Sequence, residues 1–106
     1  MTDNTFVVVP AYNEAGSIGT VVAELVASYP NVVVVDDGSS DGTLETARQA
    51  GATVLRHVIN RGQGAALQTG IDFALACGAS YVVTFDSDGQ HLVSDLSALL
   101  GPVREG

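Results

Sequence analysis

Four apolar runs, each closed by a polar, glycine-punctuated break, leave this chain few folds to choose from. Phe6-Val-Val-Val9, Asn31-Val-Val-Val-Val35, Ala52-Thr-Val-Leu-Arg56 and Tyr81-Val-Val-Thr-Phe85 read as strands, the third weaker than the others. Continuous rather than alternating apolar character is what strands need when both faces of their sheet are covered. Pro10 is expected to stop the first of them. Between the runs the period changes to that of a helix. Ile18, Val21, Val22, Leu25 and Val26 form one stripe at i, i+3, i+4, i+7 and i+8, with Pro30 at the exit. Ser40 or Asp41 can cap a short helix over Thr43–Ala50, with Gly51 at its end. A third helix carries Leu67, Ile71, Ala74 and Leu75 and ends at Gly78; a fourth runs from Val93 to about Leu100 before Pro102. Strict β-α alternation with short connections predicts an α/β fold with a parallel sheet and right-handed crossovers. No repeat, linker or low-complexity segment divides residues 1–106, so they are read as a single domain.

The unusual residues fall in one kind of place. Pro10–Glu14, Asp36–Asp41, Asn60–Gly64 and Asp86–His91 each follow the carboxyl end of a strand. In open α/β sheets the ligand crevice lies there, so this edge is the expected site. Tyr12 suits stacking on a base or packing against a neighbouring loop. Asp36 and Asp37 are adjacent and point to opposite sides, so one can accept hydrogen bonds from a base or ribose while the other caps a helix or orders the loop. Gly62 and Gly64 permit close backbone approach at the start of a helix, whose amides suit an anion. They are not the dinucleotide fingerprint, because Leu67 stands where its third glycine would be. Arg61 is the one cation placed for a phosphate, with a surface ion pair as the plainer reading. His57 belongs to the end of the third strand and is given no role.

Asp86 and Asp88, spaced i, i+2 at a strand's end and followed by Gly89, Gln90 and His91, can bend toward one hard cation. Such oxygen ligands suit Mg²⁺ or Mn²⁺ that shares its shell with substrate phosphates. Taken alone, the pair fits a helix-capping loop of solvated acids better. Its company at the same sheet edge is what favours the metal. His91 fits helix entry and a functional role equally well.

Charge narrows the partners. Twelve acidic residues face four basic ones, giving a net charge of −8. That excludes a footprint for nucleic acid or for an anionic membrane surface. Phosphates would have to be met by backbone amides, a few arginines and a borrowed cation. Cys77 is the sole cysteine, so no internal disulfide can form, which fits a reducing compartment. No signal peptide or stretch long and apolar enough to span a bilayer is visible. The chain is expected to be cytoplasmic, with a peripheral position at the inner membrane face left open.

Taken together, Pro10-Ala-Tyr12-Asn13-Glu14, Asp36-Asp37-Gly38-Ser39-Ser-Asp41, Asn60-x-Gly62-x-Gly64 and Asp86-x-Asp88-Gly-Gln90-His91 resemble the inverting family 2 glycosyltransferases of GT-A fold. The likeness is strongest to the branch of dolichyl-phosphate mannose synthase and other polyprenyl-phosphate sugar transferases. It covers nearly the whole chain, with four motifs in order. The resemblance implies a three-layer α/β/α domain with sheet order 3-2-1-4, lacking a C-terminal half. It implies a nucleotide-binding set of Pro10, Ala11, Tyr12, Glu14, Asp37, Arg61, Gly64, Asp86 and Ser87. It further implies Mg²⁺ or Mn²⁺ held by Asp86 and Asp88 with Gln90, on the diphosphate of a UDP- or GDP-sugar. Direct displacement at the anomeric carbon follows, with a polyprenyl phosphate as a candidate acceptor. A truncated, catalytically silent nucleotide-binding module is the alternative. A nucleotidyltransferase is disfavoured because the loop after the first strand is neither glycine-rich nor basic.

Two departures from the family pattern stand out. Gln63 replaces a frequent lysine and Gln68 a frequent arginine, which makes a metal more necessary or the binding weaker. The chain also stops at Gly106 where relatives continue for at least as long again, so the catalytic base is expected beyond that residue. A fourth strand left at the edge is expected to pair with the missing half or to drive homo-oligomerisation.

Overall fold

A computed structural model of the chain describes residues 4–85. The carboxylate pair Asp86 and Asp88, their neighbours Ser87, Gln90 and His91, and the helix expected from Val93 lie outside the described residues. The elements are β1 (Thr5–Ala11), α1 (Ala15–Ser28), β2 (Asn31–Asp36), α2 (Thr43–Gln49), β3 (Thr53–Arg56), α3 (Gln63–Ala76) and β4 (Tyr81–Thr84). All pairings are parallel and the sheet order is β3-β2-β1-β4, as the resemblance implied.

The alternation along each central strand sorts its side chains into two cores. Val7, Val9, Val32 and Val34 face Ile18, Val22 and Leu25 of α1 and Ala47 of α2. Phe6, Val8, Val33 and Val35 face Ala66 and Ala74 of α3. A strand buried on both faces cannot alternate with polar residues, which is why these runs are almost wholly valine. The helices on either side give three layers.

Two details differ from the sequence reading. Pro10 does not end β1; the strand continues to Ala11, with Pro10 level with Val35 and Ala11 with Asp36. The orientation of the rungs explains this. Val8 O accepts from Phe85 N on the β4 side, whereas Ala11 O accepts from Asp37 N on the β2 side. Pro10 shares the orientation of Val8, so its missing N–H faces the β4 side, beyond the last β1–β4 pair at Val8 and Thr84. No rung to β2 is lost.

The second difference is the buried face of α3. It is made by Ala66, Gly70 and Ala74, while Leu75 is 60% exposed and Leu67 and Phe73 pack at the flanks. Small residues four apart let the helix lie close on the sheet, so contact comes from proximity rather than from large side chains. At Gly70 a Cβ would stand 2.3 Å from Val8 Cγ1 and 3.1 Å from Val35 Cγ2. Val8 and Val35 are fully buried and have nowhere to go. Overpacking of this kind costs about 1–3 kcal/mol, offset by about 1 kcal/mol of helix propensity gained over glycine. Gly70→Ala is therefore expected to lower stability by up to about 2 kcal/mol in urea unfolding, with the same denaturant slope as the parent.

Candidate functional site

Three strand ends deliver three loops to the same edge, and the loops bind one another before they bind anything else. Between β1 and α1, Asn13 takes up a left-handed conformation with φ 52°, which asparagine tolerates better than most residues. Its amide donates to Ser39 Oγ at 2.8 Å, and its side-chain Oδ1 accepts from Ser40 N at 2.8 Å. Next to it, Glu14 N donates to Thr43 Oγ1 at 2.8 Å and Ala15 N to Asp41 Oδ2 at 3.3 Å. Asp41 also accepts from the amide and hydroxyl of Thr43, the first residue of α2. These bonds hold its carboxyl below the usual range, the Thr43 hydroxyl contributing most and partial burial opposing. The N-cap of α2 is Gly42 rather than Ser40 or Asp41; Asp41 instead bonds Thr43 from outside the helix and also reaches the start of α1. The clasp fixes Tyr12 and Glu14, which flank Asn13 in the chain.

The second loop begins with the aspartate pair, and the two do divide their work. Asp36 Oδ1 accepts from Ser39 N at 3.2 Å and orders the turn. Asp37 is only 3% exposed, yet it lines a cleft. Its Oδ1 accepts from Arg61 N at 2.9 Å and lies 2.7 Å from His57 Nδ1, while Oδ2 accepts from Gly62 N at 2.8 Å. Burial pushes this carboxyl upward, but the two amides and the imidazole outweigh it and hold Asp37 below the usual carboxylate range. The N-terminal amides expected to meet an anion are, at Arg61 and Gly62, already engaged by this one.

The third loop is packed on the second with no room to spare. A Cβ on Gly38 would fall 2.6 Å from Asn60 N and 2.7 Å from Ile59 C. Asn60 Nδ2 donates to Asp37 O at 3.3 Å. The cleft that results measures about 330 Å³ and is lined by Pro10, Ala11, Tyr12, Glu14, Asp37, Asn60, Gly62, Gln63 and Ala66. It unites five of the expected residues: Pro10, Ala11, Tyr12, Glu14 and Asp37. Arg61 and Gly64 are not among its lining. Arg61 is exposed and serves the site through its backbone amide; Gly64 lies in the first turn of α3. Asn60 and Gln63, named in the sequence without a binding role, and Ala66, not named at all, also enter the lining.

Sequence reasoning also missed His57, which is 7% exposed and tied at both ring nitrogens, to Asp37 and at 2.8 Å to Thr69 Oγ1 of α3. An isolated histidine after a strand carries no signal of that. Asn13 was missed as well, although asparagine in a tight strand-to-helix loop is a recognisable candidate for positive φ.

The lining contains two carboxylates and no basic side chain. Among the described residues no group of three or more His, Cys, Asp or Glu is placed to hold a metal. Phe85, the last described residue, is fixed to β1 by its amide on Val8 O at 3.0 Å.

Comparison with known proteins agrees with this architecture. An uncharacterised protein of Methanocaldococcus jannaschii is 49% identical over 102 residues, covering 95% of this chain and 42% of that protein. The polyprenol monophosphomannose synthase of Mycolicibacterium smegmatis is 37% identical over 113 residues, covering 99% of this chain and 43% of that enzyme. The chain therefore spans less than half the length of these relatives. Among solved structures, glucosyl-3-phosphoglycerate synthase from Mycobacterium tuberculosis, bound to Mn²⁺, UDP and glucosyl-3-phosphoglycerate, superposes with a TM-score of 0.77 at 29% identity. That superposition covers 97% of this chain and 40% of the synthase. The sheet order and the helices on both faces are those of the GT-A arrangement. With the description Glycosyl transferase family 2 matching residues 6–106, nearly end to end, the chain belongs to that family.

Proposed function

We propose that this chain is the donor-binding part of a glycosyltransferase that takes its sugar from a UDP- or GDP-linked donor. The observation that carries this reading is the convergence of three strand-end loops on one cleft, with an aromatic ring at its mouth and two carboxylates in its wall. Tyr12, 48% exposed, offers a face for a base. Asp37 and Glu14 accept hydrogen bonds from base and ribose, and Pro10 and Ala11 supply the floor.

Among the described residues the wall of the cleft holds no cation, and such a wall cannot by itself neutralise a diphosphate. Asp86 and Asp88, with Gln90, offer the hard oxygen donors that Mg²⁺ or Mn²⁺ takes, and the Mn²⁺ and UDP of the superposed synthase support that assignment. When bound, the ion would stabilise the charge on the departing nucleoside diphosphate. The acceptor oxygen forms the new bond to the anomeric carbon as the bond to the diphosphate breaks, which inverts the configuration. A polyprenyl phosphate is the proposed acceptor, supported by the likeness to polyprenol monophosphomannose synthase. Its oxygen is already ionised, so the demand for a general base from the protein is small.

Calorimetric titration with UDP- and GDP-sugars, with and without Mn²⁺, tests the reading. Binding is expected with one of the two bases, strengthened by Mn²⁺, with the Mn²⁺ effect lost in Asp88→Ala. Tyr12→Ala is expected to weaken binding by about 1–3 kcal/mol, the worth of one base stacked on an aromatic ring. Absence of binding to either nucleotide sugar under all conditions overturns the proposal.

A further inference from the structure

The ring of His57 stands between the cleft and α3, and its surroundings give it one geometry. Its backbone amide donates to Asp36 O at 2.9 Å, which continues the β2–β3 ladder by one residue and fixes where the side chain starts. From there Nδ1 reaches Asp37 Oδ1 at 2.7 Å and Nε2 reaches Thr69 Oγ1 at 2.8 Å. Because a carboxylate only accepts, Nδ1 carries the proton that faces Asp37, and Nε2 pairs with the Thr69 hydroxyl, which can both donate and accept. Both ring nitrogens of a buried imidazole are thereby satisfied, and neither faces the cleft as a free group.

We propose that His57 is a positioning residue: held by Thr69, it sets the rotation of the Asp37 carboxylate toward a nucleotide in the cleft. The inference rests on the donor-binding reading given above. A carboxylate turns easily about its last torsion, and a turn of a few tens of degrees moves its open acceptor site off a ligand donor. Three of the roughly four acceptor positions of Asp37 are filled, two on Oδ1 by His57 and Arg61 and one on Oδ2 by Gly62. One position on Oδ2 is left for a ligand. Arg61 is exposed and Gly62 sits at the N-cap of α3, whereas His57 ties Asp37 to Thr69 in the middle of that helix, where it packs on the sheet. The ring is thus the link that joins the carboxylate to the packed body of α3.

Two substitutions separate positioning from simple packing. The amide nitrogen of asparagine lies as many bonds from Cα as Nδ1 of histidine, and that of glutamine as many as Nε2. His57→Asn therefore keeps a donor for Asp37 and gives up Thr69; His57→Gln keeps the partner of Thr69 and gives up Asp37. Affinity for UDP and for GDP, each with Mn²⁺, is measured by calorimetry on the folded protein, alongside unfolding in urea. His57→Asn is expected to bind about threefold to tenfold more weakly than the parent, because it loses the anchor, and His57→Gln more than tenfold more weakly, each tenfold being about 1.4 kcal/mol. Equal affinities in the two variants, whatever their stabilities, overturn the inference while leaving the donor-binding reading intact. A parent that binds neither nucleotide overturns both. Should the glutamine variant fail to fold, Thr69→Val leaves the ring in place and removes only its anchor. Weakening of about threefold to tenfold then supports positioning, restored affinity in Thr69→Ser confirms that the hydroxyl is responsible, and an unchanged affinity in Thr69→Val refutes it.

Discussion

Gly38→Ala is expected to destabilise the protein by roughly 2–5 kcal/mol, the sum of backbone strain and overpacking, and to abolish nucleotide binding at concentrations that saturate the parent. Two costs add at this position. Gly38 has φ 81°, where an L-residue pays about 1–2 kcal/mol. The new Cβ would also sit 2.6 Å from Asn60 N and 2.7 Å from Ile59 C. These are backbone atoms, so no side chain can rotate away to make room, and the 59–60 segment itself must move. That segment runs directly into Arg61 and Gly62, whose amides hold Asp37. A fault in the turn after β2 is therefore passed to the carboxylate in the cleft wall. Gly78→Ala provides the control. Gly78 has φ 86° and lies outside the cleft lining, and its Cβ would meet nothing within 4 Å, so only the conformational cost of about 1–2 kcal/mol applies. Urea unfolding and nucleotide titration of the two variants should differ in both readouts; equal losses would show that the close approach of the loops is not what matters.

What could be read in the sequence, and what could not, follows from the range of the interactions involved. The valine runs identify doubly covered strands because burial on both faces leaves no alternative composition. Strand-end placement of Tyr12, Glu14 and Asp37 identifies the cleft because an α/β sheet gathers its loops on one edge. Of the face expected for α3, Ala74 is buried and Leu67 packs at its flank, but periodicity weighs side-chain size and so includes Leu75 and passes over Gly70. Here Gly70 and two alanines are buried, and Leu75 is exposed, since the close approach of helix to sheet is a property of two elements together. Pro10 was taken as a stop because a missing donor usually breaks a ladder. Which side of the strand the donor would face depends on pairing that the sequence does not print. His57 is the clearest case. Its partners are 20 and 12 residues away, and nothing local to Arg56-His57-Val58 hints at them.

Asp37 carries the second large effect, on stability and ligand binding at once. Asp37→Ala strips acceptors from the amides of Arg61 and Gly62 and from His57, all at a residue 3% exposed. Removing one member of a buried, hydrogen-bonded charged set costs about 3–5 kcal/mol, a large share of the 5–15 kcal/mol typical of a domain. Asp37→Asn keeps the shape, but its NH₂ group must face a donor, either the Gly62 amide or the pair at Oδ1. It is expected to lose somewhat less, about 2–3 kcal/mol, still enough to lower the urea midpoint clearly. The sign of the pH dependence follows from linkage. The folded-state pKa of Asp37 lies below its unfolded value, near 3.9 for an ordinary aspartate. Its ionised form is therefore favoured by folding. The stabilisation is complete above the unfolded value and disappears as pH falls through the lower folded value. The gap in stability between parent and Asp37→Asn should accordingly hold constant from pH 7 to about pH 5 and narrow as the pH is taken below about 4. A gap that instead widens on acidification would mean that the protonated carboxyl is the form the fold prefers, and the arrangement of two amides and an imidazole around an ionised Asp37 would be wrong.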